Sequence, residues 1–299
     1  MIVFDMPLKA QLRRHLRKPL IAIANTIDPL YVDVYRVINR YPGAIPPLEN
    51  RRRIGGGSIG KFIGAGLRCY LPIKEALATH LEPPACERVV LDFGAGVGRT
   101  LQYTAREFKH LHATDVDATA IAYLKRAFPD VVVSVNDYTP PLDYPGGFFD
   151  AIYSVSLWTH LPLRDQFMWL KELYRLVKPG GIVLITTHGL RGLASLRRKS
   201  EQWAGVSDAE LEKYGTMYKE YPDFDTNIAH HPGVTSSYGM SAHSPAYIRR
   251  VWSRLFEVLE IREGVIDNVQ DLVVLRKRDP RRMYQHRLES GRPRYALSD

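Results

Sequence analysis

The sequence predicts an α/β protein built on a mostly parallel sheet. From about residue 86, short apolar runs alternate with helix-length periodic segments. The first of these runs feeds directly into a glycine-rich bend, and the last two are separated only by a short polar turn.

Residues 8–82 read as helices, broken at Tyr41-Pro-Gly43 and Ile45-Pro-Pro47, because a proline and its predecessor resist helical geometry. This gives an N-terminal helical extension over 1–85. Five strands are expected next, at Arg88–Phe93, His110–Thr114, Val131–Val135, Phe149–Val155 and Gly181–Thr187. Between the last two, Arg164–Val177 places Phe167, Leu170, Leu173, Tyr174 and Val177 on one helical stripe, and Lys178-Pro-Gly-Gly181 should end that helix in a turn. A connection over about 189–246 is far longer than usual and suggests a substrate lid inserted between strands five and six. It carries Tyr214, Tyr218, Tyr221, Phe224, His230, His231, Tyr238 and His243. Two closing strands, Phe256–Arg262 and Asp271–Arg276, suit a hairpin and hence an antiparallel edge, completing the core domain over 86–276. Residues 277–299, rich in Arg and Pro, read as a basic, mobile tail.

The net charge of +9 is unevenly placed: +7 over residues 1–85, −3 over 86–275 and +5 over 276–299. Basic flanks attract phosphate, an anionic membrane or an acidic partner, but aromatics are not interleaved with the charge as single-strand binding prefers. A solvated face is the favoured reading. Arg51-Arg52-Arg53 beside Gly55-Gly56-Gly57 is the one dense spot; it could clamp a substrate phosphate, yet it lacks the Gly-Lys-Ser/Thr ending of a phosphate loop. No apolar run approaches the roughly 20 residues of a membrane span. Leu20–Ile27, behind the basic stretch Lys9–Lys18, is too weakly apolar for a secretory leader. Two cysteines, Cys69 and Cys86, without a C-x-x-C, argue against a disulfide or zinc scaffold and fit a reducing, cytoplasmic setting.

Asp92-Phe-Gly94-Ala-Gly96-Val-Gly98 follows the first strand. Its glycines permit a tight turn and close approach of a ligand to the main chain. A nicotinamide loop would want its third glycine at position 99, which is Arg99. Asp92 would also face a dinucleotide's pyrophosphate, and like charges near contact cost on the order of 1–4 kcal/mol. The same carboxylate suits a cation. S-adenosylmethionine (SAM), with a sulfonium and an α-ammonium, fits both features. Asp115, 23 residues after Asp92, is placed to accept the ribose hydroxyls. Val116 could pack on the adenine and Asp117 caps the following helix. Past the third strand, Asp137 is the first choice to accept the adenine amino group and Asn136 the close second.

Together these segments resemble the class I SAM-dependent methyltransferases. The resembling stretches are Val90-Leu-Asp-Phe-Gly-Ala-Gly-Val-Gly-Arg99, Thr114-Asp-Val-Asp117, Phe149-Asp-Ala-Ile-Tyr-Ser154, Leu176-Val-Lys-Pro-Gly-Gly181 and Asp271-Leu-Val-Val-Leu275. The resemblance implies a seven-stranded, doubly wound sheet with its last strand antiparallel and SAM across the carboxyl ends of strands one to three. It places Asp92, Gly94, Gly96, Gly98, Asp115, Val116, Asn136, Asp137 and Ser154 at the cofactor. Pro46–Asn50 and Trp158–Leu161 further resemble a bacterial subgroup acting on small molecules or glycans.

Methyl transfer needs alignment and, for a hydroxyl acceptor, a base. His160, after the fourth strand, is the first candidate, His188 the second; His230, His231 and His243 rank lower, since loop histidines are usually solvated. The place where amino-methylating nucleic-acid enzymes carry Asp/Asn-Pro-Pro-Tyr/Phe reads Ser154-Val-Ser-Leu157 here, and neither cysteine is near enough for cytosine C5 chemistry. No metal-ligand spacing stands out. The expected activity is therefore methylation of a small-molecule or sugar-containing acceptor, more at oxygen than nitrogen. An RNA or ribosome methyltransferase using the basic flanks, and a catalytically silent SAM-binding module, are the alternatives.

Overall fold

The computed structural model describes residues 6–40, 43–53, 57–81, 84–220 and 238–279. Three helices come first: α1 (Met6–Asn39), α2 (Leu48–Arg53) and α3 (Ile59–His80). Val32, Ile45 and Ile59 pack as a small apolar joint with Tyr35 and Ile63. A buried ion pair sits beside them. The Arg51 guanidinium reaches both Asp28 oxygens, at 2.5 and 3.2 Å, and also the carbonyls of Pro46 and Gly57. Arg51 is thus consumed inside the extension, which overturns its reading as a phosphate clamp; a partner 23 residues upstream is invisible to local charge density.

α3 lies on the sheet through Ile73, Ala76 and Leu77, which join a core with Val90, Leu111, Tyr153, Leu184 and Val274. A Cβ at Gly66 would stand 2.2 Å from the Arg99 carbonyl oxygen, so only glycine lets α3 approach the bend so closely.

The remaining elements are β1 (Val89–Phe93), α4 (Leu101–Thr104), β2 (His110–Asp115), α5 (Ala118–Ala127), β3 (Val132–Val135), β4 (Phe149–Ser154), α6 (Leu163–Leu176), β5 (Val177–His188), α7 (Leu190–Lys199), α8 (Glu201–Ala204), α9 (Asp208–Tyr214), β6 (Thr216–Glu220), β7 (Gly239–His243), α10 (Pro245–Val251), β8 (Glu257–Ile266) and β9 (Gln270–Arg276). Seven strands form one sheet in the order β3-β2-β1-β4-β5-β9-β8. β1 to β5 pair in parallel, and β9 runs antiparallel to both β5 and β8. The closing hairpin therefore forms the antiparallel edge expected of it, with β9 on its inner side and β8 outermost. Asp271–Leu275 is buried along its whole length, as a strand covered on both faces must be, whereas the edge strand β8 is mostly half-buried.

Two local expectations shift. Lys178-Pro-Gly-Gly181 is not a turn but the start of β5, which begins at Val177. A register shift opposite Phe149–Ala151 absorbs the irregularity, and a Cβ at Gly181 would meet the Asp150 carbonyl at 2.7 Å. The inward stripe of α6 runs through Trp169, Leu170, Leu173 and Leu176 rather than through Phe167 and Tyr174, which are half-buried.

The long connection folds into α7 to α10 and the separate antiparallel pair β6–β7. Leu193, Leu196, Trp203, Val206, Leu211 and Ala242 give it an apolar cluster of its own. Tyr221, Phe224, His230, His231 and the tail from residue 280 lie outside the described residues.

Candidate active site

The strand order reverses between β1 and β4, and there the carboxyl ends of the parallel strands open a crevice. A cavity of about 630 Å³ occupies it. One end is lined by Asp92, Gly94, Gly96, Asp115, Val116 and Asn136; the other by His160, Asp165, His188, Lys199, Tyr238 and Met240.

At the first end, Gly94, Gly96 and Gly98 all have positive φ, so the bend turns its main chain toward the cavity. Gly98 itself is not part of the lining. A Cβ there would stand 2.7 Å from Leu124, so this glycine lets α5 pack against the bend. The Asp115 carboxylate accepts from the main-chain N–H of Gly96 at 2.7 Å and of Asp117 at 2.9 Å. These bonds fix its orientation while burial pushes its carboxyl above the usual range. Asp117 caps α5 through the N–H groups of Thr119 and Ala120.

Asp92 is almost fully buried and accepts from the Tyr153 hydroxyl at 2.9 Å. Burial pushes its carboxyl up to about 8, with the nearby Asp115 charge adding to the rise and the Tyr153 bond opposing it. Asn136 donates its amide to the Asp137 carbonyl at 2.8 Å, while its Oδ1 is buried with no hydrogen-bond partner among the described residues. Asp137, the first choice from sequence, is exposed and absent from the lining. Ser154 also points elsewhere: its hydroxyl donates to the Phe93 carbonyl at 2.8 Å and ties β4 to β1.

At the second end, two imidazoles are held by one strand. His160 Nδ1 lies 3.0 Å from the Gly239 carbonyl and His188 Nδ1 lies 3.1 Å from the Ser241 carbonyl. A carbonyl can only accept, so each Nδ1 carries the proton of the neutral ring and Nε2 is the basic nitrogen. The His160 ring stacks on Tyr238, centroids 4.9 Å apart and planes within 15°. Burial pushes His188 down to about 4, with His160 adding to the effect. His243 is also buried, contrary to its reading as a solvated loop residue. It binds Gln166 Oε1 through Nε2 at 2.7 Å, and burial pushes it down to about 3.

Sequence reasoning missed a polar bridge between the two ends. Ser156, in a left-handed conformation at φ 60°, accepts from Arg99 Nη2 at 3.2 Å and from Gln270 Nε2 at 3.0 Å. Nothing local in the sequence signals it, since Gln270 comes from the far end of the chain. Tyr138, another lining residue, keeps its hydroxyl buried and unbonded among the described residues. Among the described residues no group of three His, Cys, Asp or Glu stands close enough together to hold a metal.

Residues 90–181 match the family model of a methyltransferase domain. Over that segment the chain is similar to methyltransferases. The relatives agree at this level. The chain is 29% identical over 140 residues to 2-methyl-6-phytyl-1,4-hydroquinone methyltransferase of Synechocystis sp., a match covering 42% of this chain and 43% of that protein. It is 31% identical over 138 residues to phosphoethanolamine N-methyltransferase 1 of Arabidopsis thaliana, covering 44% of this chain and 28% of that one. The matched segment thus spans less than half the length of either relative. In fold, the chain is similar to magnesium protoporphyrin IX methyltransferase from Synechocystis PCC 6803, solved with bound SAH. The TM-score is 0.51 at 14% identity, covering 77% of this chain and 93% of that one.

The residues present fit SAM, the cofactor that the sequence resemblance implies. Among the described residues Asp92 is a buried carboxyl with no cation bonded to it and Asn136 Oδ1 is an acceptor lacking a donor, and the bend at Gly94–Gly96 lines the cavity between them. Among the described residues no helix is long and apolar enough to cross a membrane.

Proposed function

We propose that the whole chain methylates an oxygen of a small-molecule acceptor, planar or sugar-containing, seated between the carboxyl ends of β4 and β5 and strand β7, with His160 as the base. The observation that carries this reading is the continuity of one 630 Å³ cavity from Asp92 and Asp115 to His160 and Tyr238. When bound, SAM supplies an electrophilic methyl on a positively charged sulfur. Asp115 would hold the ribose hydroxyls, Asn136 the adenine amino group, Val116 the adenine face, and Asp92 the positive charge.

His160 has the attributes of a base. The Gly239 carbonyl fixes its tautomer, and the Tyr238 ring limits its rotation, so Nε2 is held ready to take the acceptor's hydroxyl proton. His188 fits this duty less well: a ring pushed down to about 4 is a weak base at neutral pH. Its place is to accept a hydrogen bond and orient the acceptor. Tyr238 and Met240 offer an aromatic face and an adaptable apolar one to a flat or sugar ring.

The test is transfer of labelled methyl from SAM to a panel of hydroxylated aromatic and sugar-containing compounds. His160→Ala should lower kcat by about 10²- to 10⁴-fold at unchanged SAM affinity. Undiminished turnover in that variant would remove His160 from the chemistry. Label found in RNA but in none of the small compounds would replace this reading with the RNA alternative.

A further inference from the structure

We propose that α1 seats this protein on an anionic membrane surface. The inference rests on the outer face of the helix and is independent of the acceptor.

The helix is two-sided. Asp28 and Val32 are buried against α2 and the loop before it, through the Arg51 pair and the Ile45 and Ile59 joint. The opposite side carries Ile23, Ile27, Leu30, Tyr31, Val34, Val37 and Ile38, each between 44% and 78% exposed. At 3.6 residues per turn these seven positions fall within an arc of roughly 120°, a continuous aliphatic stripe about four turns long. A stripe of this size left in water marks an interaction surface.

Charge decides among its occupants. The same helix begins with a run, Lys9–Lys18, that contains five Lys or Arg and no acid. Its only two acids are Asp28, which is spent on Arg51, and Asp33, which stands one turn before Arg36. Arg40 follows at the C-terminal end and is exposed. A long helix with an aliphatic stripe, one aromatic ring and an excess of positive charge complements a headgroup layer. The stripe enters the acyl boundary while the cations meet anionic lipids.

Flotation of the full chain with vesicles tests this. Wild type should float with phosphatidylcholine vesicles containing about 30% phosphatidylglycerol, float poorly with phosphatidylcholine alone, and lose binding in about 0.5 M salt. Val34→Glu with Val37→Glu, at exposed positions, should cut the bound fraction by about ten-fold or more while melting temperature and SAM affinity stay at wild-type values. Arg13→Ser with Arg17→Ser should weaken binding to the anionic vesicles alone. Failure of wild type to float with anionic vesicles would overturn the proposal, as would equal flotation of the Val34/Val37 variant. A wild-type dimer that this variant splits would assign the stripe to a second copy instead, which also overturns it.

Discussion

The Tyr153 hydroxyl donates to Asp92 Oδ2 at 2.9 Å, deep beneath the glycine bend, and it also meets the Thr104 hydroxyl at 2.8 Å. Among the described residues this is the one side-chain hydrogen bond to a carboxyl that burial has pushed up to about 8. In the unfolded chain the same carboxyl loses its proton near pH 4. The folded chain therefore holds an extra proton between about pH 4 and pH 8, and Asp92 costs stability progressively as the pH rises through that window.

Asp92→Asn should remove that cost. The amide oxygen still accepts from Tyr153, so the variant's melting temperature should match wild type near pH 4 and exceed it increasingly toward pH 8. Cation binding favours the ionised carboxylate, so wild-type affinity for SAM should tighten as the pH rises toward about 8. Calorimetry in buffers of different ionisation enthalpy should then show a proton released on binding at pH 6 to 7. The Asn variant should show neither effect. Parallel pH profiles for the two proteins would contradict the assignment.

Asn136 and Asp137 are neighbours with opposite placements, one lining the cavity with an unbonded oxygen and one exposed. Asn136→Ala should weaken SAM binding by about 5- to 100-fold, the range for losing one hydrogen bond in a shielded site. Asp137→Ala should leave it within about two-fold, because exposed substitutions rarely matter. The pair of dissociation constants checks this directly, and the reverse ranking would move the adenine contact to Asp137.

The Asp28–Arg51 pair sits inside the extension, with Arg51 only 1% exposed. Removing one partner strands the other charge away from water, at a cost of about 3–5 kcal/mol. Asp28→Ala and Arg51→Ala should each destabilise the protein by that amount, and the double variant by less than the two combined. Chemical denaturation of the four proteins measures the coupling. A strictly additive cycle would show that the pair does not act as a unit.

Local constraints were readable from the sequence. The bend at Gly94–Gly98, the cap at Asp117 and the strand-end carboxylate at Asp115 are each dictated by residues within a few positions, and each stands where it was expected. What escaped depends on distant partners or on which way a strand-end side chain turns. Ser154 and Ser156 differ by two positions. One ties strands together and the other bridges Arg99 to Gln270, and only the left-handed turn at Ser156 separates their roles. The interior position of β9 was hidden for a related reason, because hairpin adjacency does not say which of two strands inserts beside β5. Arg51 and His243 looked like surface charge and loop histidine until Asp28 and Gln166 closed over them.

Strand β7 grips both imidazoles by its main-chain oxygens at Gly239 and Ser241, while Met240 between them lines the cavity with its side chain. Steering of the rings and the shape offered to an incoming molecule are thereby written in separate parts of the same three residues. Exchanging Met240 for a smaller or larger neighbour can redraw selectivity while both rings keep their aim. A family of variants could diverge in diet without relearning the reaction.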